Sequence, residues 1–584
     1  MYREISIFLM ISFVLFSCSI PFFQNVILIF TKKIGDSLSN NNLGFTIELL
    51  IIQASLFIAL QVIMLINKFI ENKLTPKFLF YINKTIKEKL TKIKLNLIDD
   101  SEIHNKIMTV QQFLPQLGLP LLKSLVSLFQ SVLAVLGMIY VLKNINVLVI
   151  ILLILLSIMN LFITHIFNKL QLHIFNETSE NIRLRDYFSR IFFDRDLISE
   201  SRIFNLHGFF TTKWTELFWK VEIPNKRLNN QRSVLIHSIQ IFINLIQLLM
   251  FILFLNTTSN SAISIGSFML LTQAIIQIQG QANEFVAAAS QIHQILIYLP
   301  SYFSLLSLPE EDVEKGVLFN GLNQNIKIEN LSFKYKNASN FTLKKLNFTI
   351  SKGESVAIVG RNGSGKTTLV KCMLGLYDDL KEGTVKYDDI SCNEISKVSF
   401  RKNVAVLFQN FGKYPLTFEQ NIRMGDVSKN NNNLDYSRSL NLSNAVSIID
   451  TLPDGSATFI STEFNQGVEL SGGQWQKTAL ARMYYKDADI IFLDEPTSAI
   501  DPLAENEIYK QFFEVSKGKT SIILTHRLGL CKLVDKIIVL DDGEIKEIGT
   551  HDELLENGLL YKDMYLAQSE WYTKESGSKF ISTF

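Results

Sequence analysis

The chain has 584 residues, a net charge of +2 and 48% hydrophobic residues. This length exceeds what a single hydrophobic core supports, so at least two domains are expected. The charge argues neither for nor against a nucleic-acid partner, and the spacing of the four cysteines suggests neither a zinc site nor a disulfide framework. Long Ile, Leu and Phe runs dominate up to about Leu306, and from about Ile326 the composition is that of a soluble α/β domain.

The first apolar stretch, Ile5–Phe30, is long enough to cross a bilayer, which needs about 20 residues. A signal peptide is the alternative, and the residues before Cys18 resemble a lipoprotein cleavage site. The apolar run continues past Cys18 to Phe30, which is longer than the roughly 7–15 residues of a cleaved core. We therefore interpret it as a retained span.

Five further apolar stretches bring the predicted spans to six. They are Leu43–Ile70, Leu117–Leu142, Val147–Phe167, Val234–Leu255 and Ile265–Leu296. Eight Lys residues lie in Glu71–Pro115, and eleven Lys or Arg residues lie in Lys169–Arg232, whereas the loops on the other side hold three. Because short basic loops stay in the cytoplasm, both termini are predicted to be cytoplasmic.

The two basic segments keep helical periodicity, as in Phe188–Phe210. They predict transmembrane helices that extend well beyond the lipid. A solvated helical face accounts for most of their charges.

Amides occur in the last two spans, where lipid-facing positions would be apolar. Gln273, Gln277 and Gln281 share a helix face with Glu284, and the fifth span contains Asn244 and Gln247. Such groups face a bundle interior or a water-filled cavity. Contact with a transported cargo and hydrogen bonding between helices are both open at this point.

The second half of the chain begins after a polar linker. We assign residues 1–306 to the membrane domain, 307–325 to the linker, 326–565 to the nucleotide-binding domain and 566–584 to a C-terminal tail. Short strands are predicted at Ile326–Tyr335, Leu346–Ile350 and Thr384–Tyr387.

A phosphate-binding loop of the form G-x-x-x-x-G-K-[ST] lies between a predicted strand, Ser355–Val359, and a predicted helix, Thr367–Leu376. Its glycines allow close backbone approach to phosphates, and the N–H groups at the helix start attract anions. The lysine is expected at the β- and γ-phosphates and the first threonine hydroxyl at Mg²⁺. The loop residues are Gly360, Arg361, Asn362, Gly363, Ser364, Gly365, Lys366, Thr367 and Thr368.

Two carboxylates end a second apolar strand, Ile490–Asp494. Asp494 is placed to hold Mg²⁺ through its water shell, and Glu495 is placed to orient and deprotonate the attacking water. The specificity of this pattern is raised by Leu470–Gln474, which reads LSGGQ shortly before the strand.

With these motifs, the last ~240 residues resemble the nucleotide-binding domain of ABC transporters, and the whole chain is similar to an ABC exporter half-transporter. The resemblance implies six long membrane helices followed by an α/β P-loop NTPase domain. It also implies ATP and Mg²⁺ as cofactors, a homodimer, and alternating access driven by ATP hydrolysis.

The resemblance assigns roles to further residues. Tyr335 would stack on adenine, Gln409 would contact Mg²⁺ and the lytic water, and His526 would contact the γ-phosphate. Asp501 belongs to the loop that communicates between the two sites. The signature residues, which would bind the γ-phosphate held by the other subunit, are Ser471, Gly472, Gly473 and Gln474.

Two stretches indicate which subgroup of ABC exporters the chain resembles. Residues 410–422 contain Phe-Gly-Lys-Tyr-Pro-Leu-Thr, and residues 470–477 read LSGGQWQK with Trp475. This form is similar to exporters of the nisin and subtilin type, which move lantibiotic precursor peptides. It implies an exported peptide as cargo.

The expected location is the cytoplasmic membrane of a bacterium, with membrane lipid, the exported peptide and enzymes that modify the peptide as partners. Removal of any leader is expected to need a separate protein. A lipid or multidrug exporter of the same fold is the alternative, and a nucleotide-gated membrane regulator is a different class. The six apolar spans exclude a soluble ATPase that acts on nucleic acid.

Overall fold

The structure is a computed structural model that describes residues 7–98, 100–141, 147–257, 265–336, 338–429, 433–464, 466–495 and 502–573. Its contacts divide the chain into two units. The first consists of Met1–Thr91 and His104–Leu308, and the second of Lys92–Ile103 and Pro309–Phe584.

Long helices form the first unit. The helices up to the linker are α1 (Ile7–Ser39), α2 (Leu43–Lys92), α3 (Leu95–Ile98), α4 (Ser101–Phe113), α5 (Leu119–Val141), α6 (Val147–Ile191), α7 (Arg195–Ile203), α8 (His207–Thr257) and α9 (Ile265–Leu306). Helix α2 has 50 residues and at 1.5 Å per residue is about 75 Å long, more than twice a hydrocarbon core of about 30 Å. A helix of this length agrees with the prediction that the membrane helices extend beyond the lipid.

The apolar character of these helices agrees with a membrane location. Within the described residues, Ile7–Ser39, Leu43–Lys92 and Leu114–Val141 are long and apolar enough to cross a membrane. The other three predicted spans lie inside α6, α8 and α9. Many apolar side chains of α2 are exposed, including Ile51 at 65% and Ile58 at 66%, as expected for a helix whose solvent is lipid.

Helices α1 and α9 approach closely at a pair of glycines. A methyl group added at Gly35 would lie about 2.5 Å from the backbone nitrogen of Gly266, so the two backbones leave no room for a side chain. Further along the same helices, Leu28 packs with Leu270 and Ala274 in a buried apolar cluster. Small residues at one end and apolar packing at the other hold α1 against α9.

In its described residues the second unit contains ten strands, helix α3, the start of α4 and the helices that follow the linker. The strands are β1 (Asn325–Phe333), β2 (Leu343–Ser351), β3 (Ser355–Val359), β4 (Glu382–Tyr387), β5 (Ile390–Ser391), β6 (Val404–Leu407), β7 (Ile490–Asp494), β8 (Thr520–Leu524), β9 (Lys536–Asp541) and β10 (Glu544–Gly549). The helices are α10 (Lys366–Met373), α11 (Lys397–Lys402), α12 (Phe418–Arg423), α13 (Asn433–Leu442), α14 (Val446–Ile449), α15 (Gly472–Lys486), α16 (Pro502–Val515), α17 (His551–Asn557) and α18 (Leu560–Thr573).

These strands form two sheets. The smaller is antiparallel with the order β2-β1-β4-β5, and the larger has the order β10-β9-β3-β8-β7-β6. Within the larger sheet, β9, β3, β8, β7 and β6 are parallel, and β10 is an antiparallel edge strand. Parallel strands buried on both faces carry continuous apolar runs, and every residue of β7 and β8 is buried.

The predicted strands coincide with β1, β2, β3, β4 and β7, and those predictions are confirmed. Helix α9 ends at Leu306 and β1 begins at Asn325, so the predicted linker lies between these two elements. Residues 92–103, which the sequence assigned to the membrane domain, make their contacts with the second unit. Helix α18 runs from the predicted nucleotide-binding domain into the predicted tail as far as Thr573.

The glycine pair provides a test of the packing between α1 and α9. We expect Gly35→Ala to destabilise the protein by about 1 kcal/mol or more, because its methyl group meets backbone atoms that cannot rotate away. Gly280→Ala, also inside α9, meets no atom within 4 Å and is the matched control. Thermal unfolding of the detergent-solubilised protein measures both. Equal melting temperatures for the two variants would contradict this packing.

Candidate active site

The phosphate-binding loop lies between β3 and α10, as predicted. Gly363 and Gly365 have positive φ values of 81° and 101°, in the left-handed region that side chains disfavour. A side chain at Gly360 would collide with the backbone carbonyl of Leu540 on β9. The loop can therefore take this shape only with glycine at these positions, and it leads directly into the N-terminus of α10.

Lys366 is folded back onto the loop. Its ammonium group donates hydrogen bonds to the carbonyl oxygens of Gly360 at 2.9 Å and Arg361 at 3.1 Å, and the residue is 7% exposed. Burial lowers the pKa of Lys366, while the negative charges of Glu495 and Asp494 oppose that shift. A positive charge is thus held where the loop would surround a phosphate.

Asp494 ends strand β7 beside the loop. Its Oδ1 accepts a hydrogen bond of 3.4 Å from the Thr367 hydroxyl, and its Oδ2 is buried without a hydrogen-bond partner among the described residues. Burial raises the pKa of Asp494, and the charge of Glu495 raises it further. A carboxylate oxygen left unpaired next to a hydroxyl fits a hydrated Mg²⁺ ion, which would satisfy that oxygen and stabilise the charge.

Glu495 lies between two side chains from neighbouring strand ends. Gln409 Nε2 donates to its Oε2 at 2.9 Å, and His526 Nδ1 lies 3.2 Å from its Oε1. Gln409 follows β6, Glu495 follows β7 and His526 follows β8, so the parallel register brings three distant segments to one edge of the sheet. Glu495 has a φ of 47°, and its amide donates to the carbonyl of Leu524 at 3.0 Å.

Most of these groups line one cavity of about 650 Å³. Its lining residues are Thr342, Asn362, Gly363, Gly365, Lys366, Thr367, Thr368, Gln409, Glu495 and His526. All of these residues except Thr342 belong to motifs that are predicted from the sequence. Because Thr342 lies just before β2 and carries no motif, only the tertiary structure identifies it.

Tyr335 lies beyond the end of β1. Its hydroxyl is 3.0 Å from the Thr368 hydroxyl, and its ring packs edge-on against Phe333 and Tyr377. These contacts hold the half-buried ring beside α10, where it is available for stacking with a base.

The signature residues form the start of α15. Ser471 is the N-cap, its side chain accepts from the amide of Gln474, and the Gln474 side chain accepts from the amide of Ser471. Ser471 and Gly472 are exposed and do not line the cavity around Lys366. Asp501 lies outside the described residues.

Arg482, on α15, is a residue that the sequence analysis missed. Its guanidinium donates to the carbonyl of Gly412 at 3.0 Å and to the backbone and side-chain oxygens of Asn421 at 2.8 and 3.0 Å. It also lies over the Tyr414 ring. The helix that begins at Ser471 is thereby tied to the segment that follows Gln409. Arg482 belongs to no motif, so the sequence contained no signal that pointed to it.

Residues 92–103 also make specific contacts that the sequence analysis missed. Lys94 forms an ion pair with Asp378 at 2.7 Å, and Asp100 pairs with Lys336, the neighbour of Tyr335. Leu95, on α3, packs against the core of the second unit. This piece of the first basic segment is therefore attached close to Tyr335.

The four predicted cargo residues on α9 have different environments. Gln273 is exposed, and Gln277 donates a hydrogen bond of 3.4 Å to Gln24 on α1. Gln281 is 8% exposed, and it lines a second cavity together with Glu284. Asn244, on α8, accepts a hydrogen bond from Gln240, and the side chain of Gln247 is not described.

Residues 343–498 match the ABC transporter family. The chain is 30% identical over 529 residues to the subtilin transport ATP-binding protein SpaT of Bacillus subtilis, a match that covers 89% of this chain and 85% of SpaT. The chain belongs to the ABC transporter family. It therefore hydrolyses ATP, with Mg²⁺, to drive transport across the plasma membrane, and ABC half-transporters of this kind typically function as dimers.

Other similar proteins include two transporters and one solved structure. The nisin transport ATP-binding protein NisT of Lactococcus lactis subsp. lactis is 28% identical over 86% of this chain and 84% of its own length. The ATP-dependent lipid A-core flippase of Bordetella avium is 32% identical over 54% of this chain and 52% of its own length. The structure of a bacterial Atm1-family ABC exporter with ATP bound matches with a TM-score of 0.80 at 19% identity and covers 96% of this chain and 98% of its own. The ABC transporter described here has the exporter fold.

The position of Glu495 leads to a mutational prediction. We expect Glu495→Gln to retain ATP binding and lose turnover by at least about 100-fold, because the amide keeps the shape but cannot accept a proton. ATP binding and phosphate release by the purified transporter measure the two effects. Glu514→Gln, an exposed carboxylate on α16 paired with Lys517, is the control. Turnover near the wild-type rate in Glu495→Gln would contradict the assignment.

Proposed function

We propose that this ABC transporter exports a small peptide of the lantibiotic type and works as a homodimer with both termini in the cytoplasm. The observation that carries the proposal is the extent of the matches. The subtilin and nisin transport proteins match over 89% and 86% of the chain, which includes most of the membrane domain, whereas the lipid A-core flippase covers 54%. Because the membrane domain contacts the cargo, a match across it bears on the cargo class. Enzymes that modify the peptide are further partners that this proposal implies.

At the nucleotide site, we propose that Glu495 accepts the proton of the attacking water. Gln409 and His526 hold the two carboxylate oxygens of Glu495, so the lone pairs that face the cavity have a fixed direction. Bound Mg²⁺ neutralises charge on the phosphate oxygens. Thr367 and Asp494 would hold the ion, and Lys366 would leave the loop carbonyls for the β- and γ-phosphates.

We propose that each complete site needs two copies of this chain. Ser471 and its neighbours are exposed and separate from the cavity that contains Lys366. The capping box of this 15-residue helix engages the amides of Ser471 and Gln474, and the amides of Gly472 and Gly473 at the helix start suit a phosphate. A second copy would supply this helix start to the cavity, and by twofold symmetry would receive the same in return.

A complementation experiment tests the shared site. Lys366→Ala and Ser471→Arg should each abolish ATP turnover in a homodimer. When the two variants are co-expressed, a mixed dimer contains one site with an intact Lys366 and an intact Ser471, so roughly a quarter of the wild-type rate should return. Co-expression of two differently tagged Lys366→Ala chains is the control. The absence of any recovery in purified mixed dimers would contradict the shared arrangement.

We further propose that Gln273, Gln277, Gln281 and Glu284 belong to a face of α9 that receives the peptide. Amides offer both donors and acceptors, which match the N–H and C=O groups of an extended backbone without selecting one sequence. A carrier of lipid tails would instead need an apolar wall. Gln273 and Glu284 are exposed in one chain, and the buried Gln281 lines a cavity.

The cargo assignment is tested by replacing Gln277 and Gln281 with leucine. Peptide export should fall while basal ATPase activity is retained, because the two amides lie on α9 and not at the nucleotide site. Gln61→Leu, at an exposed position on α2, is the matched control. Export and ATPase activity that fall together would indicate a packing role, and unchanged export would exclude this face.

A further inference from the structure

A second cavity, of about 450 Å³, lies within the first unit. Residues of α1, α2, α5 and α9 line it, and Gln281 and Glu284 are the contribution of α9 that the sequence had pointed to. Its volume falls within the roughly 300–1,000 Å³ of small-molecule sites. It is therefore large enough for one side chain or one chain terminus of a bound peptide.

The wall of this cavity contains two buried acceptors that lack a partner. Gln281 is 8% exposed, and its Oε1 accepts no hydrogen bond from any described residue. The same holds for Asn67 Oδ1 on α2, while Asn67 Nδ2 donates to the Ser17 hydroxyl at 2.9 Å. Leaving a buried carbonyl oxygen unpaired is costly, so these two atoms indicate a missing donor.

Other polar groups around the cavity are already engaged. Gln130 donates to the carbonyl of Ser17, and Gln291 accepts from the Ser124 hydroxyl at 2.8 Å. These hydrogen bonds join α5 to α1 and to α9. The buried polar atoms of the wall that remain unpaired in the described structure are thus both acceptors.

The two carboxylates that line the cavity differ in whether they pair with a lysine. Both carboxylate oxygens of Glu71 form ion pairs: Lys68 lies 3.1 Å from Oε2, and Lys123 lies 3.0 Å from Oε1. Glu284 has no lysine or arginine within ion-pair distance among the described residues. The lining thus contains two lysines and two carboxylates, and Glu284 is the carboxylate that is left for a bound cation, together with two unpaired carbonyl oxygens.

We propose that this cavity binds a primary ammonium group of the transported peptide. An ammonium group has three N–H donors and no acceptor, and it carries the positive charge that Glu284 lacks as a partner. Gln281 and Asn67 accept two of its N–H groups, and Glu284 accepts the third. The inference rests on the proposed peptide export and adds the chemical group that the cavity recognises.

A small amine tests the cavity without any peptide. The probe is n-pentylammonium chloride, titrated against the full-length transporter in zwitterionic nanodiscs, with saturation-transfer NMR as the readout and empty nanodiscs subtracted. We expect saturable binding that weakens about tenfold or more in Glu284→Gln, which removes the charge-assisted hydrogen bond. Gln281→Met removes one acceptor at similar volume and should weaken binding as well.

Matched controls separate this site from other amine binding. Glu48→Gln, an exposed carboxylate on α2 outside the cavity, should bind the probe like the wild type. The neutral n-pentanol and the anionic pentanoate should not saturate the site. Equal binding of the amine to wild type and Glu284→Gln, or preferential binding of pentanoate at Lys68 and Lys123, would overturn the proposal.

Peptide transport then identifies the source of the ammonium group. One peptide with a single lysine is prepared in four forms: unmodified, acetylated at its amino terminus, acetylated at the lysine, and acetylated at both. The uptake of each form into inverted proteoliposomes is measured. The doubly acetylated form should be transported several-fold more slowly, and the singly acetylated forms show whether the terminus or the lysine is bound. Glu284→Gln should abolish these differences.

The outcomes distinguish the two proposals. If all four peptide forms are transported at equal rates, peptide export stands and the ammonium site is overturned. If none is transported, peptide export fails as the function, while the n-pentylammonium titration still decides what the cavity binds.

Discussion

The parallel register of β3, β8 and β7 is the constraint on which the nucleotide site depends. Parallel neighbours place their carboxyl ends at one edge, so the phosphate-binding loop after β3, Glu495 after β7 and His526 after β8 must meet there. Each strand is buried along nearly its whole length, which fixes the register, because a slip of one residue would misplace every side chain. The apolar packing of the sheet therefore sets the distances between the phosphate-binding loop, Glu495 and His526.

Burial affects charged groups in the second unit and polar groups in the first unit of this transporter. In the second unit, burial lowers the pKa of Lys366 and raises the pKa of Asp494, and the attraction between these opposite charges opposes both shifts. In the first unit, burial leaves Gln281 and Asn67 with oxygens that no described residue satisfies. A satisfied network holds its own geometry, whereas unsatisfied acceptors lower their free energy when a ligand supplies donors. Asp494 Oδ2 at the nucleotide site is unpaired in the same way, so both sites contain buried oxygens that a cation or a donor can satisfy.

The contacts of residues 92–103 show how a sequence boundary can differ from a structural one. Composition placed this segment with the membrane domain, because it continues the basic helical extension of α2. Its ion pairs from Lys94 to Asp378 and from Asp100 to Lys336 instead join it to the second unit. Ion pairs between residues more than 200 positions apart leave no trace in local composition, so only the folded chain could assign them.

The sequence by itself determined the chemistry of this protein, because its decisive signals are local. The loop at residues 360–367, the carboxylates after β7 and the LSGGQ segment each combine residue type and spacing within a few positions, and the apolar runs predicted the long helices. The tertiary structure decided what depends on distant segments. It placed Gln409 and His526 on either side of Glu495, tied Arg482 to Gly412 and Asn421, and assembled a cavity from four helices around Gln281. Such contacts depend on packing between elements far apart in the chain, so no local sequence motif reveals them.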